Sequence, residues 1–286
     1  MKPKDRWPEL VRCVDDDDGL PVRPCGAWTE KKLWRWNRYL EITTSAMAGK
    51  PEWEAGLVYV DLFAGPGICQ IRESGRRLPG SPLIACLTPK AFRKLVLVEL
   101  DPANADACHR RIQRIAPHVD AAVIEGDSNS CIGRIADLIP RGSLTLAFVD
   151  PEGFDLQMDT LETLARDRRV DFLLLFADAV DLVRNIDRYE QQPESKLSKA
   201  FGSDAVWRPS WEALSNRSGA QIRELFARLF GTEIRRRLGY EGVREEIIRG
   251  PKGPLYRLIF ASKHARGLDF WDKISLRDFD GQNTLF

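Results

Sequence analysis

Val58-Tyr59-Val60-Asp61-Leu62-Phe63-Ala64-Gly65-Pro66-Gly67 is the stretch that decides the fold. It opens as a short apolar run, the composition of a buried strand, and closes in a turn bearing two glycines. Gly65 and Gly67 can take backbone angles closed to other residues and let a ligand approach the main chain. Asp61, at the strand end, either orients the turn or accepts hydrogen bonds from a bound cationic ligand. A second apolar run, Leu95-Val96-Leu97-Val98-Glu99, also ends in an acid. In open parallel sheets ligands gather at the carboxyl ends of strands, where such an acid can hold ribose hydroxyls. The two runs together predict a nucleoside-cofactor site.

Outward from that stretch the chain alternates strand and helix. The turn lacks the third glycine of G-x-G-x-x-G. Glu99 stands 34 residues after Gly65, against about 20 in dinucleotide-binding folds. The interval therefore holds an added segment: an exposed basic loop over Arg72–Gly80, then a helix through Leu87 capped by Ser81 with Pro82 in its first turn. Asp101-Pro102-Ala103-Asn104 opens a helix through Ile115. Ala121–Asp127, Ser143–Asp150 and Val170–Phe176 read as third, fourth and fifth strands. This repetition predicts a parallel sheet with helices on both faces. Gln221–Leu238 has helical periodicity, and Glu241–Arg249 with Leu255–Ser262 predict a closing hairpin. Residues 181–220, polar and irregular around Trp207 and Trp211, interrupt the rhythm as an insertion or lid.

The N-terminal part reads differently. Residues 1–27 carry four prolines and the Asp15–Asp18 run, which predicts a solvated, irregular leader. Residues 28–286 then form the domain proper. Thr29 reads as the N-cap of a helix whose Leu33, Trp36, Tyr39 and Leu40 share one face and pack on the sheet.

Composition narrows the classes. At 286 residues, 43% hydrophobic and 30% charged, the chain has the make-up of an ordinary soluble globular protein. Its net charge of +1 excludes a uniformly basic nucleic-acid glove, though arginine is locally dense at 72–77, 109–114, 166–169 and 235–237. No apolar run approaches the roughly 20 residues that cross a bilayer, and no secretory leader is visible. Six cysteines without C-x-x-C spacing fit reduced, structural thiols in a cytoplasmic protein. Cys69, just past the glycine turn, is either chemically accessible or inert. His109, His118 and His264 are too dispersed for a histidine metal site. No G-K-[S/T] follows the turn, which disfavours a P-loop hydrolase, and no G-x-S-x-G elbow occurs.

Four elements in order, Asp61–Gly67, Gly80-Ser81-Pro82, Glu99-Leu100-Asp101 and Asp150-Pro151-Glu152-Gly153, resemble the three-Cys-motif partner (TcmP) family of class I S-adenosylmethionine-dependent methyltransferases. The resemblance spans about residues 28–274. It implies a Rossmann-like fold with a mostly parallel seven-stranded sheet, an N-terminal helical extension and an insertion before the closing hairpin. S-adenosylmethionine would be held by Asp61, Phe63, Gly65, Gly67, Glu99 and Asp101, with Asp127 on the adenine amine. The helix start at Gly80-Ser81-Pro82 would hold the methionine carboxylate or serve as a plain cap, and Lys31, Lys32 or Tyr39 would border the cofactor. Asp150-Pro151 stands where amino-directed nucleic-acid methyltransferases carry [D/N]-P-P-[Y/F], beside the cofactor turn. There an acid and a backbone carbonyl accept hydrogen bonds from an exocyclic amine, stabilising positive charge that grows on nitrogen. Glu152 replaces the usual aromatic, so either Phe154 takes over stacking on the base, or Glu152 acts as a base, or the site accepts no base at all. The implied acceptor is a base amine of DNA or RNA, and the implied partner a three-Cys-motif protein. The rival expectations are a non-catalytic cofactor-binding scaffold and a nucleotide-dependent oxidoreductase.

Overall fold

The computed structural model describes residues 5–250 and 253–275. Strands β1 (Leu57–Asp61), β2 (Lys94–Glu99), β3 (Ala121–Glu125), β4 (Leu144–Val149), β5 (Arg169–Phe176), β6 (Gly242–Gly250) and β7 (Gly253–Ser262) form one sheet in the order β3-β2-β1-β4-β5-β7-β6. β1 pairs in parallel with β2 and β4, and β2 with β3, while β7 runs antiparallel to both β5 and β6. Strand order that doubles back at β1, closed by one reversed strand, is the Rossmann-like class I methyltransferase arrangement expected from the sequence. Every residue of β1 is buried, as its unbroken apolar run requires. No helix among the described residues is long and apolar enough to cross a membrane.

By internal packing the chain divides into two compact units. Among the described residues the first takes 5–128, 138–148 and 269–275, and the second 129–137 and 149–268.

In the first unit the Trp28–Met47 helix lies against the sheet. Trp36 and Tyr39 are fully buried and stack at 5.7 Å, and Trp36 also meets Phe148 at 5.2 Å. Thr29 is not the cap: the capping position is Ala27, two residues earlier, and it has no side-chain cap. The leader also departs from expectation. Trp7–Arg12 is a helix with Trp7 buried and donating to Glu30 Oε1 at 2.9 Å. Arg23–Cys25 is a strand, parallel to Ile68–Ile71, which in turn pairs antiparallel with Arg77–Pro79. The expected basic loop thus supplies one strand of a three-stranded sheet, with Arg77 buried.

The Asp15–Asp18 run does not simply repel itself into solvent. Asp18 accepts from Arg111 Nε and Nη2 at 2.8 and 2.7 Å, and from Arg77 and Arg114. Three guanidinium groups convert a repulsive sequence pattern into an ordered knot.

The second unit corrects the reading of residues 181–220. They are helical, not irregular: Val183–Gln191, Lys196–Phe201 and Asp204–Glu212 follow a π-turn at Asp178–Leu182. Trp207 and Trp211 are buried against Phe226 of the Gly219–Leu238 helix. Phe176, Phe201 and Phe230 continue that core, with Phe176 stacked on Phe230 at 4.9 Å. The polar spacing that hid these helices comes from their outer faces.

Candidate functional site

The glycine turn is built by a relay from the helix that packs on β1. Trp36 Nε1 donates to the Tyr59 hydroxyl at 3.1 Å, and that hydroxyl donates to Asp61 Oδ2 at 3.1 Å. Asp61 Oδ1 accepts the Phe63 N–H at 3.2 Å. Burial, reinforced by the Asp61 carboxylate, pushes the Tyr59 phenol well above its ordinary range, so it stays a proton donor. Asp61 is itself fully buried. Through the Phe63 N–H it orients the turn.

Gly65 and Gly67 hold φ of +64° and +86°, in the region that penalises any Cβ. The Gly80 N–H donates to the Gly67 carbonyl at 2.8 Å, and a Cβ on Gly80 would lie 2.9 Å from that oxygen. Gly80, not Ser81, is the capping residue of the Ser81–Cys86 helix, and its missing side chain lets the two turns touch. Arg111, fully buried, donates to the Pro66 carbonyl at 2.7 Å and fixes the turn from behind.

Glu99 draws the strand ends together. Its Oε2 accepts the Gly65 N–H at 2.7 Å and its Oε1 the Asp101 N–H at 2.9 Å, while its carbonyl accepts the Gly126 N–H. Asp101 caps the Pro102–Ile115 helix by accepting the Asn104 N–H at 2.9 Å. Asp127, exposed, follows β3. Phe63 is half-buried. Between Glu99 and Asp101 stands Leu100, 69% exposed, an apolar side chain in water beside two acids. Its position directly after a strand-end acid was the available signal. Arg23, whose side chain lies 3.9 Å from a Cβ built on Gly65, was also missed, because its strand reads as leader.

This cluster suits a nucleoside bearing an amino acid. Acids at two strand ends offer acceptors to hydroxyls and an amine, Leu100 offers an apolar cover for a base, and Arg23 a cation near the glycine turn. Lys32 is buried below the rings of Trp28 and Phe148, 5.6 and 5.9 Å from their centres, and Tyr39 lies in the core.

The Asp150–Phe154 turn belongs to the second unit. Asp150 and Pro151 are buried and Glu152 is exposed. Asp181, from the π-turn, accepts the Phe154 N–H on Oδ2 at 3.0 Å, and on Oδ1 the Asn185 amide and the Tyr189 hydroxyl at 2.6 and 2.8 Å. Burial and the Asp181 carboxylate raise the Tyr189 phenol, keeping it a donor. Phe154 overturns its expected role. It is 5% exposed and packs edge-on against Phe176 and Tyr189, so its ring serves the core and not a bound base. Asp181 was invisible because it falls in the segment read as irregular.

No protein-family model matches the chain, and no curated protein matches its sequence. Solved structures do. Protein LPL1258 from Legionella pneumophila str. Philadelphia 1 is 13% identical with a TM-score of 0.50, covering 86% of this chain and 92% of that one. A putative O-methyltransferase from Klebsiella pneumoniae is 14% identical with a TM-score of 0.45, covering 92% and 93%. An O-methyltransferase from Bacillus cereus in complex with SAH is 13% identical at the same TM-score and coverage. At these identities the likeness is one of fold.

Proposed function

We propose that the protein is an S-adenosylmethionine-dependent methyltransferase acting on a nucleic-acid base amine. The observation that carries the reading is the tie between Gly65 and Glu99, a positive-φ glycine turn joined to the acid of the neighbouring strand in this strand order. In the proposal Gly65 and Gly67 admit the cofactor to the main chain and Asp61 and Phe63 shape the turn. Glu99 and Asp101 face the ribose, Asp127 the adenine amine, and Leu100 the adenine ring. When bound, S-adenosylmethionine supplies a methyl group on a positively charged sulfur.

Asp150 and the Pro151 carbonyl are proposed to accept hydrogen bonds from the exocyclic amine, fixing its lone pair for attack. Their dipoles stabilise the charge that grows on nitrogen, and alignment with water excluded accounts for most of the rate. The TcmP resemblance adds a three-Cys-motif protein as the proposed partner. A second reading, a cofactor-binding scaffold without turnover, draws on one observation: with Phe154 in the core, no aromatic of the Asp150–Phe154 turn is presented for stacking.

Calorimetric titration with S-adenosylmethionine and S-adenosylhomocysteine, followed by incorporation of labelled methyl into DNA and RNA, separates the readings. The enzyme predicts saturable binding, weakened in Glu99→Ala, and label on a base. Binding without label on any nucleic acid favours the scaffold, and absence of binding by folded protein overturns both.

A further inference from the structure

Cys25 and Cys69 lie in the small sheet of the first unit, in a setting unlike that of the other four cysteines. The parallel register sets Arg23 opposite Cys69 and Cys25 opposite Ile71. Side chains alternate along a strand, so Cys25 and Cys69 project from the same face of neighbouring strands as diagonal neighbours. That placement sets the two thiols side by side, with Thr29 beside Cys25. Cations crowd the pair. Arg72 donates its main-chain N–H to the Cys25 carbonyl at 2.9 Å and its guanidinium to the Pro24 carbonyl at 3.1 Å. Buried Lys32 acts on both sulfurs, and Arg23 on Cys69.

These surroundings divide the proton unevenly. The neighbouring Cys69 thiol, then Thr29 and the nearby cations, bring the Cys25 thiol down to about 7, while Cys25 and burial push Cys69 well up. Elsewhere burial alone raises Cys86 to about 12, and burial raises Cys108 as well. A low thiol beside a protonated one is the division of labour that thiol oxidation uses, because the ionised sulfur is the nucleophile.

We propose that Cys25 and Cys69 form a redox-active pair that hydrogen peroxide closes into a reversible disulfide. The Cys25 sulfur attacks the peroxide O–O bond; a sulfenic acid forms and hydroxide leaves, taking a proton to become water. The Cys69 sulfur then attacks the sulfenic sulfur, the S–O bond breaks, and the oxygen departs as a second water with the Cys69 proton. Peroxide is reduced by two electrons and the two thiols are oxidised. Cys25, buried, is the last residue of its strand, and Gly26 follows. The bond joins the leader to the strand that leaves the Gly65–Gly67 turn. A dithiol reductant reverses it.

The test is peroxide titration of the reduced full-length protein, with intact mass and peptide mapping. The expected result is loss of two hydrogens and a Cys25–Cys69 cross-linked peptide, restored by dithiothreitol, before Cys13 or Cys131 reacts. The rate should climb with pH through about 7 and then level off. Cys69→Ser should stop at a sulfenic acid on Cys25 that dimedone captures. Oxidation of Cys13 first, or sulfinic acid on Cys25 with Cys69 still a thiol, overturns the proposal. The wild-type map needs no variant to fold and no cofactor to bind, so it stands apart from the methyltransferase reading.

Discussion

At the scale of single residues, Arg111 and Asp18 decide how firmly the glycine turn is held. Arg111 has no exposed surface, yet its guanidinium makes five hydrogen bonds: two to Asp18 and one each to the carbonyls of Leu20, Pro21 and Pro66. The Arg111 bond, helped by Arg77, holds the Asp18 carboxyl far below the usual carboxylate range. A group depressed in the folded state contributes stability that is complete above its ordinary value, about 3.9, and fades as acid carries it through its lower folded value. Asp18→Asn should therefore cost about 3 kcal/mol at neutral pH by leaving a buried guanidinium uncompensated. Urea midpoints should show that gap at pH 7 and lose it only in strong acid. A gap unchanged down to the most acid conditions would mean that Asp18 acts by shape and not by charge. None of this was legible in the sequence, where four consecutive aspartates look like solvated coil. The partners lie 59 to 96 residues away, and charge pairing at that separation leaves no local pattern. Asp61, Gly65, Gly67 and Glu99 were legible because strand ends and glycine turns carry their chemistry within a few positions.

At the scale of elements, legibility followed burial on both faces. β1, β2, β4 and β5 read directly as apolar runs, since a central parallel strand has no solvated side to dilute the signal. The helices of residues 183–212 did not, because each is short and shows the core only one stripe. Asp204–Glu212 buries Trp207 and Trp211 and turns charged groups outward, and Pro209 within it reads as a breaker. Its stability must come from aromatic packing: Trp207 has no exposed surface, and its Nε1 donates to the Ser198 hydroxyl at 3.1 Å. Trp207→Ala should destabilise the protein by about 3–5 kcal/mol. Trp207→Phe should cost less, keeping most of the buried area while losing the hydrogen bond. Denaturant midpoints followed by far-ultraviolet dichroism would check the ranking. Equal losses would show that the Ser198 bond outweighs the ring.

At the scale of the whole molecule, the proposed cofactor should register as stability, because a ligand that binds only the folded state adds its binding free energy to it. At one hundred times its dissociation constant that addition is about 2.7 kcal/mol. With the usual 2–4 °C per kcal/mol for large domains, S-adenosylhomocysteine should raise the melting temperature by about 5–10 °C. The product is the better probe, since it fills the same pocket without turnover. Gly67→Ala separates the cradle from general stability: at φ +86° an added Cβ costs about 1–2 kcal/mol by itself, lowering the unliganded melting temperature by a few degrees. If the main chain of the turn meets the ligand, the same variant should also lose most of the ligand-induced rise. A variant that melts earlier but keeps the full rise would place the nucleoside away from Gly67, leaving the turn as a device that only joins β1 to the strand after it.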